Sequence, residues 1–267
     1  MIITLGPSGT YSEIAATKLF PNKEIILKDS FFDIFANHKK NDLMVLPLEN
    51  SNYGSVIQVW EEIAKKELFI SKTLIMEIKH SLGSKSTNFQ TIHGHPQAIG
   101  QCIEFLHKQY PNAKIETATS TGDAINKALK DLTCAAIGSA DIMASKGLQI
   151  IHQNISDSLN NKTVFGVINN IDHFPNDPKN TTVILITPQN DRHGLLFNIL
   201  QIIETHSLNM TRLESRPQGD NLGKYKFFID LQTSPNSPEF KQTYQALSKD
   251  HQVNIIGAYW HIFLFLQ

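Results

Sequence analysis

The sequence predicts an α/β protein in two parts: a first region of alternating strands and helices, and a closing ferredoxin-like βαββαβ sandwich. Three observations predict it. Short apolar runs alternate with helical patterns through the first two thirds of the chain. The stretch Asp172 to Thr181, holding Pro175, Asn176, Pro178 and Asn180, breaks that alternation. Residues 181–267 then read strand, helix, strand, strand, helix, strand.

In order, Ile2 to Leu5 is a buried strand that runs into Gly6-Pro7-Ser8-Gly9 and an amphipathic helix, Tyr11 to Phe20. Leu43 to Leu48 is an apolar strand, and Val56 to Ala64 a helix after it. Gln90 to His93 is a short strand. The next helix opens at His95-Pro96, because proline at the first helical position gives up only an N–H that has no helical partner. Ile99, Cys102, Ile103 and Leu106 give that helix one apolar face. Ser120-Thr121-Gly122-Asp123 reads as a capping box before the helix Ala124 to Lys130. Cys134 to Ile137 is a strand, and Ala140 to Ser145 a helix. Alternation of this kind predicts a doubly wound, mainly parallel sheet, with ligands beyond the strands' carboxyl ends. In the second part the expected strands are Thr181 to Thr187, Leu208 to Ser215, Lys224 to Gln232 and one within Val253 to Phe265. The helices are Gly194 to Thr205 and Pro238 to Lys249.

Lys and Arg number 24 against 25 Asp and Glu, a formal net charge of -1. No basic field favours nucleic acid or an anionic membrane. No apolar run reaches the length of a membrane helix. Met1-Ile2-Ile3-Thr4-Leu5 has no basic region of a signal peptide. Cys102 and Cys134 sit among apolar residues, so reduced core thiols in a cytoplasmic protein are expected.

Four segments of the first region place a turn rich in glycine or hydroxyl groups between a strand and a helix. In Gly6 to Ser12, Gly9 permits close backbone approach, and Ser8, Thr10 and Ser12 offer hydroxyls beside free N–H groups that suit a carboxylate. An ordinary tight turn with a hydroxyl cap reads equally well. Pro47 to Val56 follows its strand with one carboxylate, amides and hydroxyls, suited to an orienting hydrogen-bond network. In His93-Gly94-His95-Pro96-Gln97 no third ligand accompanies the histidines, so capping or substrate contact by His95 and Gln97 outweighs a metal. Ser120 and Thr121 form the fourth. The strand-like stretch Asn161 to Ile168 puts Asn161, Thr163 and Phe165 on one face and Lys162 and Val164 on the other.

In this order the segments resemble the prephenate dehydratase family. The matching stretches are GPSGTYSEIAA (6–16), LPLENSNYGSV (46–56), HGHPQAIGQC (93–102), STGDA (120–124), AAIGSADIMASKGL (135–148) and NKTVFGVI (161–168). HGLLFNIL (193–200), LNMTRLESRP (208–217) and KYKFFIDL (224–231) resemble that family's ACT domain. The resemblance implies a two-lobed catalytic domain like a type 2 periplasmic binding protein, residues 1–172, with lobes of roughly 1–75 plus 161–172 and 76–160. A linker at 173–180 and an ACT regulatory domain at 181–267 would come after it.

The implied reaction turns prephenate into phenylpyruvate, water and CO2 in phenylalanine biosynthesis, without metal or organic cofactor. Thr163 would face the departing hydroxyl and Phe165 line an apolar wall. Thr10, Asn50, Ser51, Gln97, Ser120 and Thr121 would contact substrate. Val164 stands where the family has arginine, and Lys162, on the same strand face, would bring positive charge nearby. Gly194, Leu195 and Leu196, with Glu214, Ser215, Arg216 and Pro217, match the two motifs that would bind phenylalanine as inhibitor. A homodimer or homotetramer is implied. Two other readings stay open: a prephenate decarboxylase that does not aromatise its product, and a dehydratase-like ligand sensor without turnover.

Overall fold

The structure, a computed structural model, describes residues 1–158, 160–170, 180–190, 192–218 and 223–264. The first elements are β1 (Ile2–Leu5), α1 (Tyr11–Leu19), β2 (Ile25–Lys28), α2 (Phe31–Asn37), β3 (Leu43–Asn50), β4 (Gly54–Ser55) and α3 (Ile57–Lys65). Next come β5 (Phe69–Glu77), β6 (Ser81–Ser84), β7 (Thr91–Gly94), α4 (Pro96–Gly100), α5 (Ile103–Gln109) and β8 (Lys114–Thr117). After these are α6 (Thr121–Lys130), β9 (Cys134–Gly138), α7 (Ala140–Ser145), β10 (Gln149–His152) and β11 (Lys162–Asn169). The last are β12 (Thr181–Pro188), α8 (Leu195–Thr205), β13 (Met210–Pro217), β14 (Tyr225–Leu231), α9 (Pro238–Leu247), β15 (His251–Tyr259) and β16 (His261–Leu264). Two compact units result: Met1–Val59 with Leu74–Phe165 and Phe263–Gln267, and Trp60–Thr73 with Gly166–Ile262.

The first unit holds two sheets where the alternation predicts one. In the first sheet β1 lies parallel to both β2 and β3. The second has the order β10-β6-β9-β7-β8. There β7 is parallel to β8 and β9, whereas β6 is antiparallel to β9 and β10. The expected mainly parallel sheet is thus corrected to two sheets, the first with β4 antiparallel to β3 beside its parallel pairings and the second mixed. The chain passes between them along Ile78–His80 and 152–161, tied together by Ile78 N–H to Asn161 O (2.8 Å) and Ile155 N–H to His80 O (2.8 Å). Leu82, Ile92, Leu106 and Ile137 form one core of the second sheet with Cys102, and Ile125, Met143 and Cys134 another. Both cysteines are free and buried. Burial pushes the Cys102 thiol up to about 12, with Asp157 adding to the shift, so it stays protonated.

The helix expected to run from Pro96 through Leu106 is interrupted. Helix α4 ends at Gly100, and α5 starts at Ile103 with Cys102 as a cap whose side chain makes no capping bond. Asp157 supplies the missing cap from a distant loop. Its carboxylate accepts from Glu104 N (3.1 Å) and Phe105 N (3.1 Å), and its N–H bonds Gln101 O (2.7 Å).

The second unit carries a sheet of order β13-β14-β12-β15. All three of these pairings are antiparallel. With α8 and α9 this is the ferredoxin-like connectivity. Ile184, Ile229, Ile199, Ile203, Phe240 and Leu247 belong to its core. The strand expected within Val253 to Phe265 is β15, with β16 after it, and residues 265–267 lie outside the described residues, as does the expected linker 173–180 apart from Asn180. An earlier stretch of chain completes the unit. Trp60 stacks edge-on to Phe228 (5.7 Å), and Arg212 lies 3.7 Å from the centre of the Trp60 ring. Glu61 accepts from Lys226 Nζ at 2.6 Å, and Ile70 of β5 pairs with Gly257 of β15.

Candidate active site

In the first unit β1, β3, β7 and β8 all end at one cleft, as open α/β sheets require of a ligand site. The cleft has two adjoining chambers, about 470 and about 650 Å³. Leu5, Ser12, His95, Gln97 and Thr121 line both. The first chamber also takes Tyr11, Asn50, Tyr53, His80, Gln101, Asn161, Thr163 and Phe165, and the second Thr10, Asp29, Ser120 and Asp123. Among the described residues no lysine or arginine lines either chamber. The positive end of the cleft is backbone: Thr10 caps α1 by accepting from Glu13 N (3.3 Å), and Ser120 caps α6 by accepting from Asp123 N (3.0 Å).

The turn before α1 reaches α6 because Gly122 has no side chain. A Cβ there would lie 2.6 Å from the Ser8 carbonyl oxygen and 2.9 Å from Pro7 Cγ. Gly9, at φ +103, takes a left-handed conformation that favours glycine, and sits against the Gly122 Cα at 3.5 Å from its own ideal Cβ.

A chain of side-chain amides runs through the first chamber, and one backbone group sets its polarity. Asn52 N–H donates to Asn50 Oδ1 (3.0 Å), so the Asn50 amide nitrogen faces the other way. It donates to Asn161 Oδ1 (2.8 Å), Thr163 Oγ1 (2.9 Å) and Lys162 O (3.2 Å). Asn161 Nδ2 in turn donates to Gln101 Oε1 (2.6 Å). His80 Nε2 stands 2.7 Å from the same oxygen, and an amide oxygen can only accept, so the His80 proton is on Nε2. Thr163 Oγ1 is an acceptor towards Asn50, and its own proton is free for the chamber. Thr163 is 8% exposed and Asn161 2%.

Burial lowers the pKa of His95 and His80, leaving both neutral near pH 7; the bond to Gln101 works the other way at His80. His95 Nδ1 accepts from Gln97 N (3.4 Å) as the cap of α4. Burial raises the Tyr11 phenol above its usual range, and its hydroxyl donates to Lys79 O (2.6 Å).

Thr10, Asn50, Gln97, Ser120, Thr121, Thr163 and Phe165 line the cleft. Ser51 and Lys162 do not. Ser51 Oγ donates to Asn160 O (2.9 Å) and accepts from Lys162 N (3.0 Å), tying the loop to β11, while the Lys162 side chain is exposed. Val164, half-buried, is also absent from the lining. The sequence motifs single out neither Gln101 nor His80, although both line the first chamber. Gln101 lies four residues after Gln97, a spacing that places both on one helical side. In the second unit Gly194 caps α8 at φ 77, Leu195 is buried and Leu196 half-buried. Glu214 pairs with Arg216 (3.1 Å) on one face of β13, and Ser215 and Pro217 are exposed on the other. Among the described residues no group of three His, Cys, Asp or Glu side chains could hold a metal ion.

Fold and cleft define an α/β protein with a small-molecule cleft lined by hydroxyl, amide and imidazole groups together with the Asp29 and Asp123 carboxylates. The profile of the family described as prephenate dehydratase matches residues 2–173. The prephenate dehydratase of Methanocaldococcus jannaschii is 34% identical over 267 residues, 97% of this chain and 97% of that protein. The bifunctional chorismate mutase/prephenate dehydratase of Escherichia coli K12 is 31% identical over 97% of this chain and 70% of its own length. The crystal structure of the Staphylococcus aureus enzyme superimposes with a TM-score of 0.85 at 25% identity, over 97% of this chain and 100% of that one. The Arthrobacter aurescens prephenate dehydratase in complex with L-Phe gives 0.86 at 25% identity, over 97% and 89%. The chain belongs to the prephenate dehydratase family and is a lyase of that kind.

Proposed function

We propose that the cleft converts prephenate to phenylpyruvate by concerted or stepwise loss of CO2 and the ring hydroxyl. The bond from the ring to its carboxylate breaks, and its electron pair becomes a ring double bond. The bond to the hydroxyl breaks in turn, and the oxygen leaves as water with a proton drawn from solvent. Aromatisation drives the reaction, so the protein's task is orientation and stabilisation of the departing oxygen. The observation that carries this reading is the Thr163 hydroxyl, held from behind by Asn50 and free to donate into the chamber. An alcohol is too weak an acid to give up its proton outright at pH 7, so Thr163 acts as a hydrogen-bond donor. The N-termini of α1 and α6, with Thr10, Ser120, Thr121 and Gln97, suit a substrate carboxylate. Phe165 faces the ring. Lys162 contributes charge only at long range from its exposed position.

The region 1–172 is the catalytic domain of this reading, in two lobes like a type 2 periplasmic binding protein, and 181–267 an ACT regulatory domain. The βαββαβ order, the GLLF and ESRP motifs and the L-Phe complex of the Arthrobacter aurescens protein support phenylalanine as a feedback inhibitor. Gly194, Leu195, Leu196, Glu214, Ser215, Arg216 and Pro217 are the residues assigned to it, in a homodimer or homotetramer in the cytoplasm. Purified protein given prephenate at neutral pH tests the reading. Phenylpyruvate should form above the uncatalysed rate and slow in millimolar phenylalanine. No acceleration, or a product that has lost CO2 but kept its oxygen, overturns dehydration.

A further inference from the structure

We propose that His80 is a positioning residue for prephenate: it holds the Gln101 amide so that its NH2 group, and not its oxygen, faces the substrate. This rests on the functional reading above and extends it to residues that the sequence motifs give no role.

Gln101 lines the chamber, and its Oε1 receives two bonds, from Asn161 Nδ2 at 2.6 Å and His80 Nε2 at 2.7 Å. Its NH2 group has no hydrogen bond among the described residues, so two N–H donors remain for a ligand. Were the amide turned over, Oε1 would confront a dianion and two donors would confront each other behind it. Asn161 alone fixes the oxygen with one bond on one side. His80 supplies the second and prevents rotation.

The surroundings of His80 suit a fixed part. It is 4% exposed, with its backbone oxygen bonded to Ile155 N–H (2.8 Å) in the crossing between the two sheets. The Tyr11 ring stands edge-on at 5.9 Å. Among the described residues its buried Nδ1 has no partner, and the ring's polar side-chain contact is Gln101. Burial also keeps the ring neutral.

A double-mutant cycle tests this. His80→Leu removes the N–H and is expected to raise the KM for prephenate and lower kcat/KM about 10–100-fold. His80→Gln restores an N–H near the Nε2 position and should recover most of that loss. In a Gln101→Ala background, His80→Leu should cost less than about twofold more, because its partner is gone. Equal cost in both backgrounds, or no recovery in His80→Gln at an unchanged melting temperature, overturns the proposal. Gln101→Glu gives a test independent of folding at His80. It keeps both acceptor bonds but replaces the NH2 group with a charge, so KM should rise about 100-fold or more; a KM within twofold of wild type overturns the proposal. Wild-type turnover, measured first, separates the functional reading from the inference. Calorimetric binding of prephenate carries the same cycle if turnover is absent.

Discussion

Replacing Thr163 by valine removes one oxygen and keeps the shape of the side chain. Two free energies respond, and the structure predicts very different sizes for them. The lost bond is the one from Asn50 Nδ2 at 2.9 Å. That nitrogen keeps Asn161 Oδ1 at 2.8 Å and Lys162 O at 3.2 Å as acceptors. No buried donor is orphaned, so stability should fall by only about 0.5–1 kcal/mol. The melting temperature should then drop by roughly 1–4 °C. Catalysis loses a preorganised donor aimed at developing negative charge, typically about 10²–10³ in kcat. Phenylpyruvate formation and a thermal melt, run on the same preparations, read the two effects separately. A kcat within tenfold of wild type would refute the role given to Thr163. A large loss of activity with an equally large loss of stability would also refute it, since the effect would then be structural.

Gly122→Ala should push the Gly6 to Gly9 turn away from α6, because the new Cβ meets a backbone oxygen at 2.6 Å. A cost of about 1–3 kcal/mol and a raised KM are expected, and unchanged values in a melt and a saturation curve would contradict the packing argument. Asp157→Ala removes the remote cap of α5 and should cost about 1–2 kcal/mol in chemical unfolding. Stability should also fall on mild acidification. Burial holds His80, His93, His95, His251 and His261 below their ordinary pKa. The unfolded chain takes up protons near pH 6.5 that the folded chain refuses, so stability is full above that pH and declines below it. Each histidine contributes at most about 1.4 kcal/mol per pH unit. Equal melting temperatures at pH 7.5 and 5.5 would count against these burials.

Much of the fold is legible in local sequence because its central strands are continuous apolar runs. Ile2–Leu5, Leu43 to Leu48 and Cys134 to Ile137 are of this kind, and each is a strand. The edges are not legible. Every residue of β2, Ile25–Lys28, is only half-buried, and β8, Lys114–Thr117, has exposed Lys114 and Thr117 at its ends around a half-buried pair, Ile115 and Glu116. In β5, Lys72 interrupts the pattern. The cleft divides the same way. Thr10 and Ser120 announce themselves as caps because an acidic residue, Glu13 or Asp123, stands three positions later. Gln101 gives no such sign, because Asp157, far along the chain, supplies the cap that lets α5 start anew just beyond it. No strand, helix or motif segment read from the sequence includes His80; the crossing between the sheets brings it to Gln101.

Trp60–Thr73 packs with Gly166–Ile262 rather than with its sequence neighbours. This bears on how such a gene can be cut and recombined. A truncation ending near residue 180 would strip Phe228 from Trp60, Lys226 from Glu61 and Gly257 from Ile70. The shortened product would expose Trp60, Leu68, Phe69 and Ile70 to water and invite aggregation. A chimaera that imports a foreign tail must import a matching Trp60–Thr73 with it. Two segments distant in the reading frame are therefore bound to change together.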